Sequence, residues 1–519
     1  MAGLTAEKNK FAALYAKRTN IIDEGVYDIN VATGTQTNGG VNSNHLRGQD
    51  HDGLYSGLAR VNYDYNEKYL LEVVVRRDGS SRFAPGFKFK NYGSISAGWN
   101  IYKERFLENF KALSNLKLRA SIGTSGNQVG IGNYDYVSTI TQGTTVFGDL
   151  PALNATSYVD GITTTSRTWE NVEMKNIGVD FAFFNNRLSG TFEKYIKNNN
   201  GMLIAITYPE VLGDTPPKTN SGDLRTQGWE AMLSWKDKIG NLSYNIGLNM
   251  SDNTNKLVKL AGPASIQEGL INTAEGYPLN SYFAWQTDGL FQTQAEVDAY
   301  YAKYNGGDLL AQNGASGLRI GDVKKLDFDG NGQINDVSSA GGDVKFVGDA
   351  QLHYVFGINL GVQYKGFDFT TFFQGALQQV VFRGGYLDYP FARRFSNLPN
   401  SYIGQTWTAE STGAIYPRLT SNAGRSAWNW RNNDIIQQNN RYIRLKTIVV
   451  GYTLPSSFTN KLNINKVRVY FSGNDLFEFS SVKDGYDPES GSAPTETADI
   501  SRAIYPFQRT IALGLNIAF

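Results

Sequence analysis

The sequence predicts an all-β protein, an antiparallel transmembrane β-barrel. Three observations predict it: apolar residues recur at every second position, small polar residues fill the alternate positions, and short turns alternate with long loops. In the final stretch RTIALGLNIAF, Ile511, Leu513, Leu515, Ile517 and Phe519 share one face of an extended strand, and Ala512, Gly514, Asn516 and Ala518 share the other. HYVFGINLGVQY repeats the pattern, with Tyr354, Phe356, Ile358, Leu360, Val362 and Tyr364 opposite Val355, Gly357, Asn359, Gly361 and Gln363. NLSYNIGLNM sets Leu242, Tyr244, Ile246, Leu248 and Met250 against Ser243, Asn245, Gly247 and Asn249. Residues 94–101, 115–123, 176–184, 228–235 and 466–473 behave likewise. A soluble sandwich also alternates, so the second face decides the class. Here it is Gly, Ser, Asn, Thr, Gln and occasional Arg, with aromatics near strand ends on the apolar face. A wall between lipid and a wet lumen needs that composition.

Bulk properties narrow the function. Lys+Arg 49 against Asp+Glu 48 gives a net charge of +1, so no overall field favours nucleic acid or an anionic membrane surface. The absence of Cys excludes disulfides, thiolate zinc sites and thiol catalysis. No apolar run reaches the ~18 residues of a transmembrane helix. The opening MAGLTAEKNKFAALYAKRTN has no basic start followed by an apolar core. With three His, no HExxH and no GxSxG, the chain offers no catalytic constellation, and no enzyme is expected.

Along the chain, residues 1–55 read as an extracellular-type loop at a truncated start, and 56–519 as barrel. About thirteen strands are expected, from 56–66 to 508–519. Short links at 66–67, 185–186, 237–241 and 365–366 alternate with long ones near 124–168, 198–225, 252–352, 378–439 and 476–507. Short periplasmic turns and long extracellular loops give that alternation. Residues 252–352 are too long for a structureless loop, so a small folded insertion is expected there. Bacterial barrels use an even number of strands, so an odd count implies part of a larger barrel.

Five stretches carry a resemblance. YNEKYLLEVVVRRDGSSRFAPG (65–86) precedes YGSISAGWNIYKERFLENFKALSNLKLRASIGTSGNQVGIGNYDY (92–136), then come TWENVEMKNIGVDFAFFNNRLSGTFEKYIKN (168–198), RYIRLKTIVVGYTLP (441–455) and VYFSGNDLFEFSSVKDGYDPE (469–489). In this order the chain resembles the SusC/RagA-like TonB-dependent transporters of Bacteroidetes outer membranes. The resemblance implies a 22-stranded barrel with a plugged lumen, of which this chain would hold the C-terminal part without the plug. It also implies import of oligosaccharides or peptides, a SusD-like lipoprotein capping the long loops around 198–225, 252–352 and 378–439, and a TonB complex acting through an N-terminal region. A terminal Phe519 resembles the signal read by the barrel assembly machinery. A structural or adhesive barrel is the alternative, and a soluble carbohydrate-binding β-sandwich enzyme a third reading.

Three motifs remain. In DFDGNGQIND, Asp327, Asp329, Asn331, Gln333 and Asn335 take calcium-loop positions around the sharp turn at Gly332, with Asp336 substituting for a missing Glu where Ser338 stands. An ion-free Asp/Asn/Gly turn fits the same residues. In RRDGSSRF, a phosphate-binding turn competes with a tight loop in which Arg77 and Arg82 pair with carboxylates. Tyr386, Tyr389, Trp407, Trp428 and Trp430 are candidate platforms for a sugar or peptide, or else interface and loop packing.

Overall fold

The computed structural model describes all residues except 13–16, 19, 21–32, 35, 38–48, 148–151, 206–210, 212, 215, 262–265, 305–316, 336–341, 383–399, 483–486 and 490–507. Among the described residues, fourteen strands of the main sheet follow one another in a hydrogen-bonded order that is the chain order, and a fifteenth short strand pairs off that path. The fourteen are β1 (Ala2–Ala12), β2 (Gln49–Tyr65), β3 (Tyr69–Ser80), β4 (Phe89–Asn100), β5 (Leu113–Asn127), β6 (Glu170–Phe183) and β7 (Leu188–Ala205). After them come β8 (Lys218–Ile239), β9 (Leu242–Leu260), β10 (Val355–Tyr364), β11 (Phe367–Ala376), β12 (Tyr442–Thr453), β13 (Lys466–Asn474) and β14 (Thr510–Ala518). The short piece Glu478–Ser480 pairs with the start of β12.

Thirteen of these strands, β2 to β14, are those expected from residue 56 onward. The expectation of a loop over 1–55 needs correction. Residues 2–12 are β1, paired antiparallel to β2 from Ala2↔Ala59 to Ala12↔Gln49. AGLTAEKNKFA alternates weakly, so its strand character comes from ladder bonds that a neighbouring backbone supplies. Among the described residues the path along the sheet therefore counts fourteen strands, one more than expected.

The chain divides into two compact units, Met1–Trp99 with Arg119–Lys175 and Lys197–Leu224, and Asn100–Leu118 with Asn176–Ile196 and Arg225–Phe519. In the first unit, register places Tyr63, Leu71 and Ala97 in one row and Val61, Val73 and Ile95 in the next, all on the apolar face. Below them Tyr65 stacks on Tyr69 and Tyr69 on Trp99, each at 6.4 Å between centroids. At the other margin Tyr55 and Phe89 are exposed, with the Arg77 guanidinium 5.3 Å from the Phe89 ring centroid. Ten residues separate Tyr69 from Gly79, the partner of Phe89. At ~3.4 Å per residue and a tilt of roughly 40°, that is about 26 Å, the height of a lipid-facing band between aromatic girdles. The short turns between strands, of two to four residues, carry positive φ at Asn66 and Glu67, Asn185 and Asn186, and Lys365 and Gly366. Those conformations match the right-handed twist of the flanking strands.

In the second unit the apolar rows continue as Leu242↔Tyr364↔Phe367↔Tyr452, with Phe367 and Tyr452 rings 4.5 Å apart. Leu513 is 83% and Phe519 85% exposed on this face. Between β9 and β10 lies independent structure. Gly269–Ile271, Ser281–Trp285 and Val344–Asp349 form a three-stranded sheet, and Thr287–Leu290 pairs with Val323–Lys325. Helix α1 (Gln294–Lys303) starts on Thr293, whose Oγ1 accepts from the Glu296 N–H at 3.2 Å. Helix α2 (Ala423–Trp430), from the next long connection, starts on the Asn422 side chain, which accepts from the Arg425 N–H at 3.0 Å. Such caps satisfy otherwise orphaned helix donors.

Candidate functional site: a motif-lined region and a folded loop assembly

In the first unit, stretches far apart in sequence pack together. Phe83, Ile131, Trp169 and Leu203 form a buried cluster, with Phe83 and Trp169 rings 5.2 Å apart. Glu170 is 3% exposed, and its carboxylate accepts from Asn127 Nδ2 at 2.7 Å, Asn199 Nδ2 at 2.9 Å and the Leu203 N–H at 2.7 Å. Three donors are what keep a buried carboxylate tolerable. The Trp169 indole donates to Lys88 O at 2.8 Å, fastening the loop after β3 to the start of β6. Arg82 pairs with Asp52 at 3.5 Å and donates to Ile131 O at 3.3 Å. RRDGSSRF is thus a packed turn. Arg82 finds its carboxylate, whereas Arg77 lies over Phe89.

The stretch RYIRLK meets Asp487, Pro488 and Glu489, the end of GYDPE, in the second unit. Arg444, 3% exposed, pairs with Glu478, with Asp487 at 2.7 Å and with Glu489 at 3.2 Å. Lys446 pairs with Asp475 at 2.8 Å and Glu489 at 3.0 Å, and Asn440 Nδ2 donates to Pro488 O at 2.8 Å. The cluster ties the loop after β13 to the head of β12. Removing Arg444 would leave several carboxylates uncompensated, at a cost of roughly 3–5 kcal/mol.

The acidic loop is preorganised. Asp327 accepts from the N–H groups of Gly330 at 2.8 Å, Asn331 at 3.1 Å and Gly332 at 3.0 Å. Gly330 and Gly332 have φ of +74° and +78°, which a side chain would strain. Asp329 accepts from the Asn331 N–H at 3.0 Å and from its Nδ2 at 3.0 Å, and Asn331 Oδ1 accepts from the Gln333 N–H at 2.7 Å. Asp336 lies outside the described residues. Asp343, which the spacing did not suggest, supplies the third carboxylate: ligand oxygens of Asp327, Asp329 and Asp343 lie within 4.8 Å of one another. Asp343 also accepts from the N–H groups of Phe328 at 2.7 Å and Asn335 at 2.8 Å. Burial pushes its carboxyl up, partly offset by those donors. Hard oxygen donors from three carboxylates suit calcium. No sequence template places Asp343, because it arrives from the far side of an intervening segment.

Of the two readings open for the aromatic candidates, Trp428 and Trp430 follow loop packing. Trp428 and Trp430 are 6% and 5% exposed. Trp428 packs with Phe291, Val297, Tyr300 and Val323 and donates its indole N–H to Val323 O at 2.8 Å. Lys325 Nζ sits 3.9 Å from the Trp285 ring centroid and 4.3 Å from that of Trp428. Trp430 packs edge-on to Tyr402 at 5.3 Å and stacks with Tyr416 at 5.9 Å. Trp407 is half-buried and donates to Gln292 Oε1 at 3.3 Å. Trp428 and Trp407 therefore join residues 400–435 to the 266–350 insertion, and Tyr386 and Tyr389 lie outside the described residues. His353, expected within a strand, precedes β10. Its Nε2 meets Asp349 at 2.9 Å and its Nδ1 meets Asp252 at 2.8 Å. The hydrogen bond to Asp349, then Asp252, raises its pKa to about 9 against the pull of burial.

No family model matches the chain. The chain is 29% identical over 526 residues to TonB-dependent receptor P26 of Formosa agariphila, covering 96% of this chain and 50% of that protein. It is 25% identical to TonB-dependent receptor SusC of Bacteroides thetaiotaomicron over 90% of this chain and 44% of SusC. Among solved structures, the RagAB peptide transporter superposes with a TM-score of 0.73 at 20% identity, covering 100% of this chain and 53% of that one. The chain spans about half the length of the curated relatives it matches. The antiparallel sheet with its lipid-type face has the fold of part of the outer-membrane β-barrel of these proteins, and over most of its length the chain is homologous to TonB-dependent receptors, SusC among them.

Proposed function

We propose that the chain supplies barrel wall, lumen surface and extracellular loops to a non-enzymatic, TonB-energised importer of oligosaccharides or peptides. The observation that carries this reading is the similarity to TonB-dependent receptors over 96% of the chain. A SusD-like lipoprotein caps the long loops, which the core uniting 266–350 with 400–435 makes a firm platform. TonB acts through a plug region, the barrel assembly machinery reads the terminal strand with Phe519, and outer-membrane lipid covers the apolar face. Calcium held by Asp327, Asp329 and Asp343 orders the insertion without taking part in chemistry. Disrupting the gene and measuring growth and uptake on glycan and peptide sources tests import, while a tagged protein tests lipoprotein capture. A barrel retained in the outer membrane with uptake unchanged would instead be structural or adhesive. For calcium, adding EDTA should raise hydrogen exchange over 327–343. Unaltered exchange would sink the metal assignment.

A further inference from the structure

The cations on the lipid-facing side of β1 to β4 gather at one end. Register sets Lys8 beside Gly53 and Lys10 beside His51, on the face that carries Leu4, Tyr55 and Val61, and both lysines are exposed. Glu7 and Asn9 alternate to the lumen side, where Asn9 Nδ2 donates to Asp52 at 3.5 Å. Arg77 shares the lipid side, between Gly57 and Asn91. Its guanidinium lies against Phe89, one row nearer the end of the sheet, so the side chain snorkels out of the apolar band. These three are the only Lys or Arg at lipid-facing positions of the four strands, and no Asp or Glu stands among them. No ion pair among the described residues engages any of the three. The opposite margin, at Tyr65, Tyr69 and Trp99, has no cation at these positions. Residues 81–88 link β3 to β4 at the cationic end, and only 66–68 link β2 to β3 at the other. Longer links mark the extracellular margin of an outer-membrane barrel, so the cations stand at the headgroup depth of the outer leaflet.

We propose that this margin of β1 to β3 docks a phosphate-bearing lipid of the outer leaflet, its phosphates held by Lys8, Lys10 and Arg77. Its acyl chains lie along the apolar rows of Val61, Val73 and Ile95, which begin directly below the cations. Lys8 and Lys10 stand two residues apart on one strand, about 7 Å, so one phosphate can meet both ammonium groups. Exposed cations with no carboxylate beside them attract anionic headgroups. A zwitterionic lipid would bring an ammonium group to a face that offers it no acid. A free anion would leave the apolar rows below it uncovered. The site rests on the barrel's place in the outer membrane and is independent of what the barrel imports.

The test uses native protein extracted from outer membranes and delipidated in dodecyl maltoside micelles. Native mass spectrometry follows titration with diphosphoryl lipid A, its dephosphorylated form and phosphatidylethanolamine. Diphosphoryl lipid A should bind saturably, and the other two should not. Replacing both lysines, Lys8→Gln with Lys10→Gln, should weaken binding about thirtyfold, and Arg77→Gln about fivefold. Heat-modifiable migration on gels reports that the variants fold. Lys68→Gln, in the short turn at the opposite margin, should bind as the unsubstituted protein does. Saturable binding confined to the phosphorylated lipid and weakened in this order supports the site. No saturable binding, equal binding of the dephosphorylated lipid or phosphatidylethanolamine, or binding unchanged in the lysine and arginine variants overturns it. Equal weakening by Lys68→Gln would mean diffuse attraction to charge and overturns it too. Displacement of the lipid by millimolar inorganic phosphate would assign the cations to a free anion and overturn the lipid assignment.

Discussion

The strands and the loop assembly of the second unit obey opposite rules with the same residue types. On β14, Leu513 is 83% exposed and Leu515 57% exposed, while in the insertion Phe291 and Val323 are fully buried. A protein surrounded only by water would not leave so continuous an apolar row uncovered. The strands carry their apolar side outward because lipid covers it, whereas the insertion hides its own because water surrounds it. An exposed Leu and a buried Phe therefore report two solvents, and the aromatic girdles mark the border between them.

Substitutions can break this contrast. The largest effect is expected for Trp428→Ala, which empties the loop core and orphans Val323 O. A loss of about 3–5 kcal/mol in the loop assembly should appear as rapid limited proteolysis within 266–435. Heat-modifiable migration of the barrel should persist, and if the barrel melts as well, the two regions are not separable. A smaller penalty, roughly 2–4 kcal/mol at mid-bilayer depth, is expected for Leu513→Arg in urea unfolding from lipid vesicles. Neutral or stabilising behaviour there would mean that the face meets water.

The smallest effect sharpens the junction between the regions. His353 has a raised folded-state pKa of about 9, so its contribution is fully present below its unfolded pKa near ~6.5 and fades as pH rises through the folded value. Hydrogen exchange over 349–354 should therefore be slow at pH 6 and, corrected for intrinsic rate, less protected at pH 10. His353→Gln should abolish that pH dependence while leaving the acid limb of stability alone. A pH profile identical to that of the unsubstituted protein would remove the ion-pair account.

Most of the wall was legible because strand periodicity is local. Tyr354 to Tyr364 and Ile511 to Phe519 each declare their faces without reference to a partner. β1 was not legible, since AGLTAEKNKFA becomes a strand only beside β2. The acidic loop was half legible: Asp327, Asp329 and the glycines follow a local template, but Asp343 does not. For Trp428 and Trp430 the sequence left platform and packing both open, because composition cannot tell an aromatic platform from an aromatic core.

By itself the sequence determined the solvent of each strand face, the short turns and the family resemblance, since all of these depend on neighbours a few residues apart. Only tertiary structure decided the rest. It brought Glu170 to three donors, seated Arg444 among the carboxylates of a distant loop, and left Tyr92 Oη buried without a hydrogen-bond partner. Each depends on atoms that meet across long sequence separation, where burial and unpaired polarity exist only once the chain has folded.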